Sequence, residues 1–413
     1  MDFDKDFDAL FEQVIDEELE DNTDEYLMRI ALEMQQQSDN TTRRRKKRLM
    51  IDRCREEGHN RLFNDYFSEN SIYTYAQFRR RFRMQRHVSL RIVEALGHYD
   101  DYFQMRVDAT RKKGLSPLQK CTTAIHILAY GSSADSTDDY IRIGESTAVE
   151  CLERFVSGVC NIFRAEYLRR PNNEDVERLL QMGNARSFPG NFCQGDHSKP
   201  TIMLEAVASQ DLWIWHAFFG TIGSNNDINM LNASNVFNDV LLGQAPAVQY
   251  IVNRTQYNMG YYLADGIYPE WATFLKTIPM PQGEKMKLFV KQQESARKDV
   301  ERAFGVLQSR FAIVRGPTRA WRVDTLKNIM HACIILHNMI VEDERHTYNI
   351  NFDYDNSSNE VLTSDVSIGP HPIFTTTYLQ RRAHLHDRQQ HRQLQHDLVE
   401  HIWGRFGHHN NEN

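Results

Sequence analysis

Two carboxylates frame the stretch from Gly260 to Phe311. Asp265 closes a short apolar run, Tyr261–Ala264, that reads as a strand; Gly266 then turns the chain and Pro269 stops the strand from continuing. Glu301 lies on a predicted helix whose apolar residues Ala296, Val300, Ala303, Phe304, Leu307 and Phe311 share one stripe. Gly305, one turn on, leaves open space beside Glu301. A carboxylate at a strand end and a carboxylate on a later helix can share Mg²⁺ or Mn²⁺, and paired ions drive in-line attack on a phosphodiester. Such a site normally needs a third carboxylate. The plainer reading is that Asp265 caps a turn and Glu301 pairs with Arg297 one turn back. Spacing alone leaves both readings standing.

Several elements must position these acids. Thr201–Ala208 and Leu212–Phe219 read as a strand pair joined by the polar turn Ser209–Asp211, with His216 on a strand face. The loop GSNNDIN follows, where Asn226 or Asp227 can cap a helix over Ile228–Leu242. Upstream, Ser116–Pro117 is a helix-start signal and Gly131 a stop; a second helix starts at Glu145–Thr147. Leu326–Ile340 reads as an apolar packing helix whose His331, His337 and Asn338 are buried and hydrogen-bonded rather than metal ligands. Residues 350–375 read as a linker. Leu394, Leu398, Ile402 and Trp403 mark a surface or partner-contacting helix in the polar C-terminal segment.

The chain has 413 residues and a net charge of −7. That charge is unevenly spread: residues 1–42 carry 14 acidic against 2 basic side chains, and the remainder 47 basic against 42 acidic. An acidic arm, expected to be disordered, thus precedes a mildly basic body. No apolar run is long enough to span a bilayer, so no membrane partner is expected, and MDFDKDFDALFEQ lacks the pattern of a secretory leader. Six scattered cysteines without a CxxC pair argue against a zinc site and a disulfide framework. The basic run Arg43, Arg44, Arg45, Lys46, Lys47, Arg48 reads as a nuclear-import signal. In YAQFRRRFRMQR, Phe78 and Phe82 point inward, which leaves Arg79, Arg80, Arg81, Arg83 and Arg86 as contacts to a DNA backbone or as an ordinary solvated face.

The runs GYYLADGIYPEWATFLKTI, ESARKDVERAFGVLQSRFAIVRGP and IMHACIILHNMIVEDER resemble plant transposases of the PIF/Harbinger family. The resemblance runs from about Phe63 to Glu344 and resumes near His396–Gly404. It implies an α/β architecture: an RNase H-like catalytic domain of the DDE type, preceded by an all-α, helix-turn-helix-like domain. It implies that Asp265 and Glu301 are catalytic metal ligands for Mg²⁺ or Mn²⁺, with Asp227 as the alternative second acid. It also implies DNA as substrate, a Myb-like protein partner and a nuclear location, with the cytoplasm as a second one; self-association stays open. Glu145, Glu150 and Glu153 would repel phosphate from the second helix of the helical domain.

The sequence departs from the family at one place. Between Phe188-Pro189-Gly190 and Gly195-Asp196-His197-Ser198-Lys199-Pro200 stand only Asn191-Phe192-Cys193-Gln194, where the family has a strand bearing its first catalytic Asp. The expectation is a sheet missing its central strand, an impaired site with weak or lost metal binding, and Asp196, in a turn, as a poor substitute. The alternative function is a catalytically inactive DNA- or protein-binding scaffold. The expected organisation is an arm over 1–59, a helical domain over 60–165, a DDE-type domain over 166–345, and a linker with a polar helix over 346–413.

Overall fold

Capping boxes start three helices in the helical half of the chain, among them Asn173–Ala185 through Asn172 and Asp175. Thr74 accepts from the Gln77 backbone while the Gln77 side chain returns to the Thr74 N–H at 2.9 Å, starting α2 (Tyr75–Phe82). Ser116 and Gln119 do the same for α4 (Pro117–Tyr130), with Pro117 at its first position. Gly131 ends α4 at φ 61°, and a Cβ there would lie 3.1 Å from the Ala312 backbone, so glycine is required twice over. The longer helices of this half besides these are α1 (Arg55–Leu62), α3 (Arg86–Tyr99), α5 (Glu145–Tyr167) and α6 (Asn173–Ala185). At Gly158 a Cβ would lie 2.4 Å from Leu96 Cδ2, so α5 and α3 cross closely.

This computed structural model describes residues 53–107, 109, 111–196, 204–219, 240–241, 248–316, 322–345, 367–368 and 378–407. All of them lie in the second of two units, Arg53–Asn413. One apolar core runs from Leu62 through α2–α5 to strand residues Ala206 and Ile214 and on to Val341. The boundary expected at 165/166 therefore does not separate two cores; it falls inside α5, whose apolar face serves both halves.

The sheet half contains β1 (Asn191–Asp196), β2 (Leu204–Ala208), β3 (Ile214–Phe219), β4 (Val248–Val252), β5 (Thr255–Tyr257), β6 (Tyr261–Ala264) and β7 (Phe274–Lys276). Five of them form one sheet in the order β3-β2-β1-β6-β7. β2 pairs antiparallel with β1 and β3, while β1, β6 and β7 run parallel. The expectation of a missing central strand is corrected here: Asn191–Asp196 fills the centre, pairing Gln194 with Ala208 on one side and with Leu263 on the other. The physical reason is that β2 and β6 would otherwise each bury an unpaired row of N–H and C=O groups. A strand supplies those partners through its backbone, whatever its side chains. A register shift between Asn191 and Cys193 accommodates the short segment. Asp196 is the last residue of this strand, not a turn residue before one.

Helices α7 (Gly283–Arg297), α8 (Asp299–Arg310) and α9 (Val323–Glu344) follow the sheet. The stripe Ala296, Val300, Ala303, Leu307 and Phe311 is buried as periodicity predicts, although the helix breaks at Lys298. Within the expected linker, Ser367–Ile368 forms β8, paired with β4. The C-terminal segment forms α10 (Tyr378–Leu385) and α11 (Arg388–Phe406). Leu394, Leu398 and Ile402 are buried in a second core with Phe289, Leu275 and Tyr250, so α11 is a packing helix rather than a surface one. Buried Asp397 accepts from Tyr257 at 2.6 Å and Asn253 at 3.1 Å, tying α11 to the β4–β5 hairpin.

Candidate functional site

β6 delivers Asp265 to the C-terminal edge of the sheet. Its Oδ1 accepts from the Gly266 N–H at 2.6 Å and its carbonyl accepts from the Tyr268 N–H at 3.3 Å. The aspartate thus caps its own turn. Two elements hold this edge. Gln293 on α7, fully buried, donates to the carbonyls of Ala264 at 3.1 Å and Leu275 at 3.2 Å, the last residue of β6 and the middle residue of β7. From α11, buried His391 meets the Trp271 and Phe274 carbonyls, and Arg392 pairs with Glu270 at 3.1 Å.

Glu301 lies elsewhere. It follows Gln293 by eight positions, beyond the helix break at Lys298. Arg297 Nη1 holds its carboxylate at 3.2 Å. A Cβ on Gly305 would meet nothing within 4 Å, so the open space expected beside Glu301 is present. The neighbouring Arg302 donates to the Gln210 carbonyl at 2.7 Å, beyond the end of β2 and level with the start of β1. Asp299, two residues before Glu301, pairs with Arg186, just upstream of β1. α7 and α8 therefore run back along the sheet. Asp265 sits at the edge where β1 and β6 end, and Glu301 at the edge where they begin. Four or more strand residues separate the two levels, on the order of 13 Å.

Mg²⁺ or Mn²⁺ held jointly by Asp265 and Glu301 needs both carboxylates within about 2–2.6 Å of one ion, or near two ions about 4 Å apart. The described residues do not fit that arrangement. No group of three or more His, Cys, Asp or Glu side chains among them converges on a metal position. Asp227 lies outside the described residues, as does the basic run Arg43–Arg48. By extension of the β1–β6 register, in which Gln194 faces Leu263, Asp196 is level with Asp265.

The arginines of α2 and the turn after it are half-buried, apart from Arg80. Arg79 and Arg310 both bind the buried carboxylate of Glu344, Arg310 at 2.8 Å. Arg81 binds the Tyr66 hydroxyl and lies 4.0 Å from the centre of the Tyr73 ring. Arg83, at φ 64°, lies over Tyr130, and Arg86 donates to the Ser68 carbonyl at 3.2 Å and to Ser71 Oγ at 2.7 Å. Arg80 is the exposed member. Apart from exposed Arg80, these side chains also brace α2 against its neighbours. On α5, Glu145, Glu150 and Glu153 are exposed, and Glu150 pairs with Arg154 at 3.0 Å.

Asp299 is a residue that sequence reasoning passed over. It is 2% exposed and holds Arg186 and, at 3.1 Å, Arg302. Its signal was available: position 299 follows Ala296 by three and precedes Ala303 by four, which puts it on the buried stripe. Asp299, Arg186 and Asn191 line a cavity of about 20 Å³, room for one water. The Asn191 side-chain oxygen, buried without a partner among the described residues, borders it.

A family described as plant transposon protein matches residues 189–348, a span that begins just before β1 and ends just after α9. A domain of unknown function matches residues 58–97, from within α1 through most of α3. No curated protein and no solved structure matches the chain.

Proposed function

We propose that this chain, whose sheet half is similar to plant transposon proteins, is a transposase-derived DNA-binding scaffold of PIF/Harbinger type that does not cleave DNA. The observation that carries the reading is the separation of Asp265 and Glu301 to opposite edges of the sheet, with Glu301 occupied by Arg297. The strand order, with a central strand antiparallel to one neighbour and parallel to the other, supports an RNase H-like ancestry. The family resemblance adds a nuclear location and a Myb-like partner protein.

One observation favours a second reading. Asp196 stands level with Asp265 at the C-terminal edge, where a replacement for the absent first acid would have to lie. On that reading the chain remains a Mg²⁺- or Mn²⁺-dependent nuclease. Nicking of supercoiled plasmid separates the two. The scaffold reading expects no nicking above background with Mg²⁺ or Mn²⁺, and no difference between the native protein and Glu301→Ala. Metal-dependent nicking that disappears in Glu301→Ala overturns it.

A further inference from the structure

We infer that the basic hairpin closed by Val107 and Lys113, with its described residues 105–107, 109 and 111–114, between α3 and α4, is a sequence-independent docking surface for the phosphate backbone of duplex DNA. This deepens the scaffold reading by naming its contact surface. Antiparallel bridging of Val107 to Lys113 and the Gly114 N–H bond to the Arg106 carbonyl at 2.8 Å close the hairpin. Arg111 sits at φ 62°, in the left-handed region that turns the chain back.

Four cations, Arg106, Arg111, Lys112 and Lys113, fall within eight positions, and all four are exposed. Asp108 is the one acid in the same stretch. Lys113 also meets Glu56 of α1 at 2.6 Å, a pair with both side chains more than half exposed, which solvent screens and a phosphate can displace. The contact sets the hairpin beside the turn of α1 that carries exposed Arg55 and Glu57. The arginines of α2 are engaged in internal contacts; those of the hairpin are exposed.

Side-chain chemistry selects the partner. Lysine and arginine on a narrow two-stranded ribbon meet phosphates along a groove or backbone. Met105, 42% exposed, and Val107, 58% exposed, are too small a wedge to anchor the protein in a bilayer. Phosphate contacts are the same on every sequence, so the surface binds duplexes of any sequence, with a strong salt dependence.

The test uses the full chain and a duplex of about 20 bp, followed by fluorescence anisotropy between roughly 50 and 200 mM salt without divalent metal. Omitting the metal lets binding and cleavage fail separately. Changing Arg106, Arg111, Lys112 and Lys113 together to Ala is expected to weaken binding at least about tenfold at low salt. It should also lower the slope of log affinity against log salt by about 3. Glu56→Gln, which releases Lys113, should tighten binding. Circular dichroism should be unchanged in both variants, since every altered side chain is exposed. Unchanged affinity and slope in the fourfold variant overturn the inference. An acidic peptide or anionic vesicle bound as tightly as the duplex overturns the assignment to DNA.

Discussion

Stability should collapse as pH falls from 6.5 towards 4, a loss that begins above the range in which carboxylates ordinarily titrate. Four histidines carry this expectation. Burial holds His126 down to about 4, helped by Arg81, and burial holds His216 at about 4. Burial, then the Arg164 and Lys327 charges, hold His331 at about 4. Burial and Arg310 push His337 to about 3 despite its bond to the Leu212 carbonyl at 2.8 Å. In the folded state all four stay neutral down to these values, whereas in the unfolded chain they protonate from about 6.5. Their contribution is therefore complete above pH 6.5 and is lost as pH falls. Each histidine contributes a slope of about 1.4 kcal/mol per pH unit, so four approach about 5 kcal/mol per unit once the unfolded chain is protonated. A domain of ordinary stability, about 5–15 kcal/mol, then unfolds near pH 5. Urea midpoints followed by tryptophan fluorescence from pH 8 to 4 check this. His331→Gln should make the slope shallower by one proton. A midpoint that stays flat from pH 7 to 5 contradicts the expectation.

Replacing Asn338 should be among the most damaging single changes. Its side chain is fully buried. The oxygen accepts from the Ile214 N–H at 3.0 Å, and the nitrogen donates to the Ile214 carbonyl at 2.7 Å and the Tyr167 carbonyl at 2.6 Å. β3 is an edge strand, and Asn338 supplies the bonds that a neighbouring strand would give. It also satisfies the last carbonyl of α5, which has no partner inside the helix. Asn338→Leu keeps the volume and strands one donor and two acceptors in the core, at a cost of about 3–5 kcal/mol. Asn338→Asp fails as well, because a carboxylate cannot donate to the two carbonyls. Urea unfolding at pH 7.5 measures the loss; a cost below about 1 kcal/mol for Asn338→Leu would show that water replaces the amide.

What could be read from the sequence was what short-range physics sets. Ser116, Pro117 and Gly131 bound α4 because caps and positive φ are local. Ala296 to Phe311 is buried because a helical period leaves no other face. His337 and Asn338 are packed and hydrogen-bonded, as their place in an apolar helix implied. The centre of the sheet was not legible, because nothing in Asn191–Asp196 alternates like a strand; two unpaired neighbours recruit it. The internal contacts of the α2 arginines were not legible, because charge does not say whether a guanidinium meets solvent, a ring or Glu344. The separation of Asp265 from Glu301 depends on the direction in which α7 crosses the sheet, fixed by Gln293 gripping the Ala264 and Leu275 carbonyls. No spacing in the sequence encodes that direction.

The most direct measurement of the separation is anomalous diffraction from crystals soaked in Mn²⁺. Asp265 and Glu301 at opposite edges of the sheet predict no manganese peak coordinated by both. A peak within coordination distance of the two carboxylates together would contradict the arrangement and restore the nuclease.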